Sequence, residues 1–398
     1  MPSSLSAAEA TGRLGVSRAT LYSYVSRGLI RSEAAEGKTR ERRYSAEDVE
    51  RLTRRKEDRR DPERPLQTAL DWGAPLLDSE LTLIRDGNLY YRGQDVSELS
   101  RRATLEEVAG LLWTGETRAV PLPLKAQFAH LPLLPETGLL EAFGHALTSA
   151  AARDLQAHDA RPEALPAAAA RVLALLFAVV ERRVGIPAAP DLPLHERLAR
   201  AWGVPQHGDL LRRALVLVAD HELNVSSFTA RCVASGGAGL HHAALAGLCA
   251  LQGTRHGLGV HLAAELLEDA VPKGAARALA ASMRRLHHAP GFGHPLYPDG
   301  DPRARELLAA LAEAAPDSPA VGAVQALCLQ VRSELGLLPS VDLALAAVNL
   351  YLEGEAVRGV ALFALGRTVG WLAHACEAAR QDRLIRPRAR YTGLAPGN

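Results

Sequence analysis

The feature that most limits what this chain can become is a long succession of alanine-, leucine- and arginine-rich segments with apolar residues at helical spacing. They run at 143–156, 163–183, 208–219, 238–251, 261–268, 274–287 and 303–315, with further helices expected at 319–335, 341–352 and 355–380. Apolar residues three and four apart lay a stripe along one helix face, and that stripe must be buried against other helices. The alanine tract at 167–170 favours helix over disorder. Thr104-Leu-Glu-Glu107 has the form of a capping box opening another such stretch. One hairpin signal interrupts the pattern: Leu81 to Ile84 and Leu89 to Tyr91 flank Arg85-Asp-Gly-Asn88, where Asp-Gly suits a turn at positive φ. The spacing predicts a mainly α, enzyme-sized domain with one minor hairpin.

At 398 residues the chain exceeds one ordinary domain. A dense mixed-sign run from Arg51 to Arg64 leads into Pro62 and Pro65, which reads as an exposed helix end followed by a linker. The expected division is therefore 1–64 and 65–398. The net charge of +1 excludes a chain-wide bias toward nucleic acid or anionic membrane, so any basic patch is local. Cys232, Cys249, Cys328 and Cys376 form no CxxC pair, which argues against a zinc site or disulfide framework and for reduced thiols. Met1 to Gly15 lacks the basic and apolar regions of a signal peptide. Apolar runs such as Val172 to Val180 fall short of the roughly 20 residues of a membrane span. The expectation is a soluble, cytoplasmic protein without membrane contact.

In the first module, Ser6-Ala-Ala-Glu9 is a capping box, and a short helix follows from Ala7 to Leu14. Gly15-Val-Ser17 makes a turn, Ser17 caps a second helix from Arg18 to Arg27, and Gly28 ends it. Leu21 and Val25 face the core in this reading, while Arg18, Thr20, Ser23 and Arg27 face outward toward phosphate or base edges. A basic segment, Lys38 to Tyr44, precedes a further helix opened by Ser45. Gly15-Val-Ser-Arg-Ala-Thr-Leu-Tyr22 with Arg43-Tyr-Ser-Ala-Glu-Asp-Val49 resembles the winged helix of the MerR family over about residues 5–55. That resemblance implies DNA contacts from the second helix and from a wing carrying Arg42, Arg43 and Tyr44. Against it stands the reading of a protein-interaction module, since acidic residues intervene among the basic ones.

Three segments of the large domain concentrate His, Asp, Gly and Arg: Ala219 to Thr229 with Gly253 to Gly259; Pro290-Gly-Phe-Gly-His-Pro-Leu-Tyr297 with Asp301-Pro-Arg303; and Ser340-Val-Asp342. His256 and His294 lie among glycines, where backbone can approach a ligand. Asp342 opens an apolar helix, where burial raises a carboxylate toward the range of a useful base. Two histidines and one carboxylate suit carbanion chemistry, one group removing a proton while others polarise carbonyl oxygens. A metal site is disfavoured because His256 and His261 are five apart and misaligned on a helix. Gly253 to Gly259 is a poor phosphate loop, with no preceding strand and no Lys-Ser/Thr. His241-His242 and His287-His288 fit surface or packing roles.

Asp-His-Glu-x-Asn-x-Ser-x-Phe, Gly-x-x-His-Gly, Pro-Gly-Phe-Gly-His with Asp-Pro-Arg, and Val-Asp together resemble the citrate synthase family. Leu89 to Leu99, Glu106 to Leu112, Gly366 to Gly370 and Leu384 to Gly393 extend the likeness to about residues 75–395 in the expected order. The resemblance implies a two-lobed helical fold, with a small lobe inserted at about 257–345. It implies that Asp342 removes a methyl proton from acetyl-CoA, His256 binds the thioester oxygen, and His294 polarises the oxaloacetate carbonyl. Arg303 and Arg367 would hold the substrate carboxylates, joined by Arg386 from the other subunit of a homodimer, with His221 and Asn224 also at the substrate. No cofactor beyond the acyl-CoA substrate is implied. Two departures stand out: Gly259-Val260 replaces the family's usual Ala-Asn pair, and Pro298 stands where a basic residue commonly helps hold CoA. The first leaves His256 less firmly oriented, and the second predicts a weakened acetyl-CoA Michaelis constant. Three functions stay open: citrate synthase, 2-methylcitrate synthase using propionyl-CoA, and a DNA-binding regulator sensing oxaloacetate or CoA.

Overall fold

A computed structural model describes residues 4–27, 29–34, 42–46, 48–49, 52–53, 77–123, 137–159 and 161–394. The chain divides into two compact units at Asp78/Ser79. The boundary expected near residue 64, with the charged run and prolines beside it, lies outside the described residues, as do Gly28 and residues 35–41.

The first unit contains β1 (Ser4–Leu5), α1 (Ala7–Leu14), α2 (Arg18–Ser26), β2 (Ser32–Ala34) and β3 (Arg42–Ser45). Both caps form as the residues dictate. Ser6 and Glu9 exchange backbone bonds at the start of α1, and Ser17 Oγ accepts from Thr20 N at the start of α2. The strands make an antiparallel sheet in the order β1-β3-β2, in which Leu5 and Ser32 both sit opposite Tyr44. Leu5, Ala10, Leu14, Leu21, Ile30, Tyr44 and Val49 form its core, with Val25 packed against them. Tyr44 corrects the expectation of a wing residue facing DNA. Its side chain is only 1% exposed, because alternation along β3 sends Arg43 out and Tyr44 in. Arg18, Arg27, Arg42 and Arg43 are exposed, and Thr20 and Ser23 half-buried.

The second unit opens with β4 (Thr82–Arg85), β5 (Asn88–Tyr91) and β6 (Gln94–Asp95) in one antiparallel sheet. The Asp86-Gly87 turn takes the positive φ its residues favour, 51° and 72°. Helices then follow: α3 (Val96–Arg102), α4 (Leu105–Thr114), α5 (Leu139–Ala151), α6 (Leu165–Arg183), α7 (Leu194–Ala201) and α8 (Gly208–Leu217). The rest are α9 (Val225–Ser235), α10 (Leu240–Leu251), α11 (Gly259–Lys273), α12 (Ala275–Leu286), α13 (Pro302–Ala314), α14 (Pro319–Leu335), α15 (Val341–Tyr351) and α16 (Ala356–Gln381). Three of these, α3, α7 and α9, were not among the expected helices. Helix α9 begins Val-Ser-Ser, residues of modest helix propensity, and is initiated by the Asn224 cap instead.

Helix α16 is the axis of the unit. Every residue from Gly359 to Ala378 is buried, and α4, α5, α6, α8, α9, α10, α11 and α15 all pack on it. It is long and apolar enough to cross a membrane, but 83% of its apolar window is buried inside the protein, as for a core helix. Several ionic groups inside this core are paired. Arg197 grips Glu181 with two bonds, at 2.8 and 2.7 Å, and Arg231 pairs with Glu377, which also accepts from Glu80 N. Removing one partner of such a pair leaves an uncompensated charge. Glu181→Ala is expected to destabilise this unit by about 3–5 kcal/mol, measured by urea unfolding followed through tryptophan fluorescence. A change below about 1 kcal/mol, the range of exposed pairs, would mean that Arg197 finds water.

Candidate active site

Five stretches of chain build the site: α16, the α8–α9 connection, the α10–α11 connection, the loop between α12 and α13 with the first turn of α13, and the start of α15. Two backbone bonds clip the last two together, Gly293 N to Leu338 O and Ser340 N to Gly291 O, both 2.8 Å. Gly291 permits this approach. Its φ is +81°, and a Cβ there would lie 2.9 Å from Leu343 Cβ and 3.0 Å from Ala263 Cβ.

Asp301 organises the cationic side. Its Oδ1 accepts from Arg303 N and Arg303 Nε, while its Oδ2 accepts from Arg303 Nη2 at 2.8 Å and from Val341 N at 3.0 Å. One carboxylate thus caps α13, holds Arg303 in a bidentate grip and anchors the start of α15, one residue before Asp342. Burial works against the Arg303 charge, but Asp301 holds its pKa above the ordinary value. Arg367, on α16, donates from Nε to Val218 O at 2.7 Å. Its Nη2 is buried without a hydrogen-bond partner among the described residues. Burial pushes its pKa down to about 10, so it stays charged near neutrality.

Three histidines surround these cations. His221 and His294 meet edge to face at 5.3 Å, and His221 Nε2 lies 2.9 Å from Tyr297 Oη. His294 Nδ1 accepts from Leu296 N at 3.2 Å, which leaves the ring hydrogen of its neutral form on Nε2. His256 Nε2 lies 2.7 Å from Ser226 Oγ, and the ring packs on Phe363 at 5.8 Å. Burial, then the field of the arginines, lowers all three: His221 well below its ordinary value, His294 to about 4 and His256 to about 3. All are neutral at pH 7 and can donate or accept hydrogen bonds without carrying charge.

Asp342 behaves in the opposite sense. It has no hydrogen bond or ion pair among the described residues, and its Oδ2 rests where a Cβ on Gly259 would come within 2.9 Å. Burial raises its pKa to about 6, against the pull of Arg303. A carboxylate so placed is ionised at neutral pH yet basic enough to take a proton from carbon.

The structure therefore gathers six of the expected residues, His221, His256, His294, Asp342, Arg303 and Arg367. Asn224 has a different place. Its Oδ1 accepts from Ser226 N, Ser227 N and Ser226 Oγ, and its Nδ2 donates to His221 O and Ser227 Oγ. Both ends of the amide are occupied in holding the loop, so it orients Ser226 and His221 from behind. Arg386 lies exposed on the segment without regular secondary structure after α16. Ser226, Tyr297, Asp301 and Trp371 were not singled out from the sequence, although the first three lie inside the quoted motifs.

Residues 69–388 match the family model for the citrate synthase C-terminal domain. The chain belongs to the citrate synthase family. Residues 5–57 match the model for MerR HTH family regulatory proteins. Among the similar proteins of the citrate synthase family is citrate synthase 2 of Bacillus subtilis (strain 168), 30% identical over 346 residues, covering 79% of this chain and 93% of the relative. Another is 2-methylcitrate synthase of Mycobacterium tuberculosis, 29% identical over 348 residues, covering 77% and 85%. Citrate synthase from Thermotoga maritima MSB8 superimposes with a TM-score of 0.69 at 26% identity, covering 82% of this chain and 96% of that one. The Thermoplasma acidophilum citrate synthase, solved as a ternary complex with carboxymethyl coenzyme A and oxaloacetate, shares the fold with a TM-score of 0.69 at 23% identity, covering 82% of this chain and 96% of that one. The protein is an acyltransferase of this family.

The raised Asp342 pKa has a consequence for stability. With a folded value of about 6 against 3.8 for the free group, the folded state disfavours the charged carboxylate. The stability associated with the protonated form is complete below about pH 4 and lost as pH rises through 6. Asp342→Asn is therefore expected to melt a few degrees above wild type at pH 8 and level with it at pH 4. Thermal melts at the two pH values check this. Equal melting at both would show that the carboxylate is well solvated.

Proposed function

We propose that this protein condenses acetyl-CoA with oxaloacetate, yielding citrate and CoA. The observation that carries the reading is one unpartnered, raised carboxylate set among neutral histidines and two buried arginines. Asp342 takes a proton from the acetyl methyl group, and a hydrogen bond from His256 stabilises the developing enol oxygen. The enol carbon attacks the oxo carbon of oxaloacetate. His294 polarises that carbonyl through Nε2–H and gives up its proton as the oxygen becomes a hydroxyl. Water then cleaves the citryl thioester, releasing CoA. Arg303 and Arg367 supply the planar cations that a dianionic substrate requires, and His221 adds a hydrogen bond.

For His256 to donate to the thioester, its hydrogen must be on Nδ1, with Nε2 accepting from Ser226. Ser226 Oγ has one hydrogen, and Asn224 Oδ1, 2.8 Å away, competes for it. Trp371 Nε1, 2.9 Å from Oγ, only donates, leaving Ser226 free to turn its hydrogen toward His256.

In this reading the protein works in the cytoplasm as a homodimer, with Arg386 completing the other subunit's site. The segment at about 257–345 acts as a small lobe closing over the substrates, which excludes water. Pro298 offers no cation to CoA, so the acetyl-CoA Michaelis constant is expected to be high. The similarity to a 2-methylcitrate synthase favours propionyl-CoA as a second acyl donor. One methylene changes selectivity by about 10- to 200-fold at most. The MerR match favours DNA contact through Arg18, Thr20, Ser23, Arg27, Arg42 and Arg43.

Two measurements test these readings. Purified protein mixed with oxaloacetate and acetyl-CoA is expected to release free thiol, in an oxaloacetate-dependent reaction that Asp342→Asn abolishes; the rate with propionyl-CoA names the preferred donor. No release, together with an oxaloacetate-dependent rise in melting temperature, would reject the enzyme in favour of a ligand sensor. For the first unit, Arg18→Ala with Arg43→Ala is expected to weaken a salt-sensitive mobility shift of duplex DNA by the full-length chain. The absence of any shift at low salt with wild type would reject DNA binding.

A further inference from the structure

One buried hydroxyl of the site has no task in the proposed chemistry. Tyr297 is 2% exposed, and it touches three of the gathered residues at once. Its ring lies 4.9 Å from that of His294, tilted by 38°, and Arg303 Cζ sits 5.6 Å from its centroid. Its Oη lies 2.9 Å from His221 Nε2, with the two rings edge to face at 5.6 Å. Backbone bonds fix the tyrosine in place: Tyr297 N donates to His294 O and Gly300 N to Tyr297 O, both at 3.0 Å. The loop that carries His294 therefore also carries the group that meets His221, from the distant α8–α9 connection.

The direction of that bond follows from what each partner can offer. The tyrosine hydroxyl has one hydrogen, and His221 Nε2 is its only acceptor among the described residues. A buried hydroxyl with its hydrogen unpaired forfeits about 1–3 kcal/mol, so Tyr297 donates and Nε2 accepts. His221 lies among Arg303, Arg367, His294 and His256, and burial with their fields keeps it neutral. Its single ring hydrogen is then on Nδ1, which has no hydrogen-bond partner among the described residues and is left for an acceptor from outside the chain. We propose that Tyr297 is a positioning residue for the oxo acid: its hydroxyl holds the His221 ring in the Nδ1–H form and so presents a fixed donor to a substrate carboxylate. The inference rests on the oxo-acid reading given above.

Tyr297→Phe keeps the ring against His294 and Arg303 and removes only the hydroxyl. In the full-length chain it is expected to raise the oxaloacetate KM, and the Kd from calorimetry, about 5- to 30-fold, with kcat falling less. Because the hydroxyl acts through His221, Tyr297→Phe is expected to add no further rise in a His221→Ala background. An unmoved KM in Tyr297→Phe overturns the inference. An equal rise in both backgrounds also overturns it, because it would mark the hydroxyl as packing. A third readout needs neither substrate nor a folded variant of Tyr297: nitrogen chemical shifts of isotopically labelled histidine in the wild-type protein, with the His221 signals assigned by their loss in His221→Ala. Protonation on Nδ1 is expected, and a ring protonated on Nε2 in a protein that binds oxaloacetate overturns this inference alone. Wild-type protein that neither binds oxaloacetate nor releases thiol overturns the oxo-acid reading itself, and this inference with it.

Discussion

Asp301 makes the site one object. It accepts four hydrogen bonds inside the protein, from Arg303 N, Nε and Nη2 and from Val341 N. Without it, Arg303 would be a buried cation lacking an anion, a state that costs several kcal/mol per charge. The α12–α13 loop would also lose its tie to α15. The arrangement of His294, Arg303 and Asp342 therefore depends on this carboxylate, which is buried and looks from the sequence like an ordinary helix cap.

The distribution of charge in the site follows from burial. Histidines are the cheapest ionisable groups to neutralise, because their pKa values start near neutrality, and here burial and the arginine field push them the same way. Arginine starts so high that even the lowered Arg367 keeps its proton. Asp342 falls between these cases, lifted to about 6 and still ionised at pH 7. The result is two fixed cations, three neutral hydrogen-bonding rings and one raised carboxylate, obtained from residue type, depth and the fields of Asp301 and the arginines.

Much of this was legible in the sequence, and the reasons are local. Capping boxes at Ser6 and Thr104 and the Asp86-Gly87 turn formed as their chemistry requires, because a cap depends on residues three apart. The central helices announced themselves by length and apolar content. Helix α9 did not, since its start is decided by Asn224 and its packing by α10 and α16, neither of which a short window of serines reveals. Tyr44 was misread for a related reason. A tyrosine beside three arginines suggests a wing contacting DNA, but strand pairing on both sides of β3 decides which way it faces. His256, His294 and Asp342 were readable as residue types in glycine-rich or apolar settings, whereas the partners around them came from distant chain: Thr82 meets Asp220, and Trp371 meets Ser226, only after folding.

Ser226 illustrates what such long-range partners add. Its hydroxyl has one hydrogen and three neighbours, of which Trp371 Nε1 can only donate and Asn224 Oδ1 can only accept. Asn224 Oδ1 already receives two backbone hydrogens, from Ser226 N and Ser227 N, so it loses little when the hydroxyl turns away. His256 Nε2 has no such alternative, and its choice fixes the state of Nδ1 on the far side of the ring. When the serine hydrogen points to Asn224, Nε2 keeps its own hydrogen and Nδ1 is a bare acceptor. When it points to His256, Nδ1 becomes a donor. The ring can therefore change from acceptor to donor while staying neutral, in a pocket where an imidazolium would be disfavoured by burial and by two arginines.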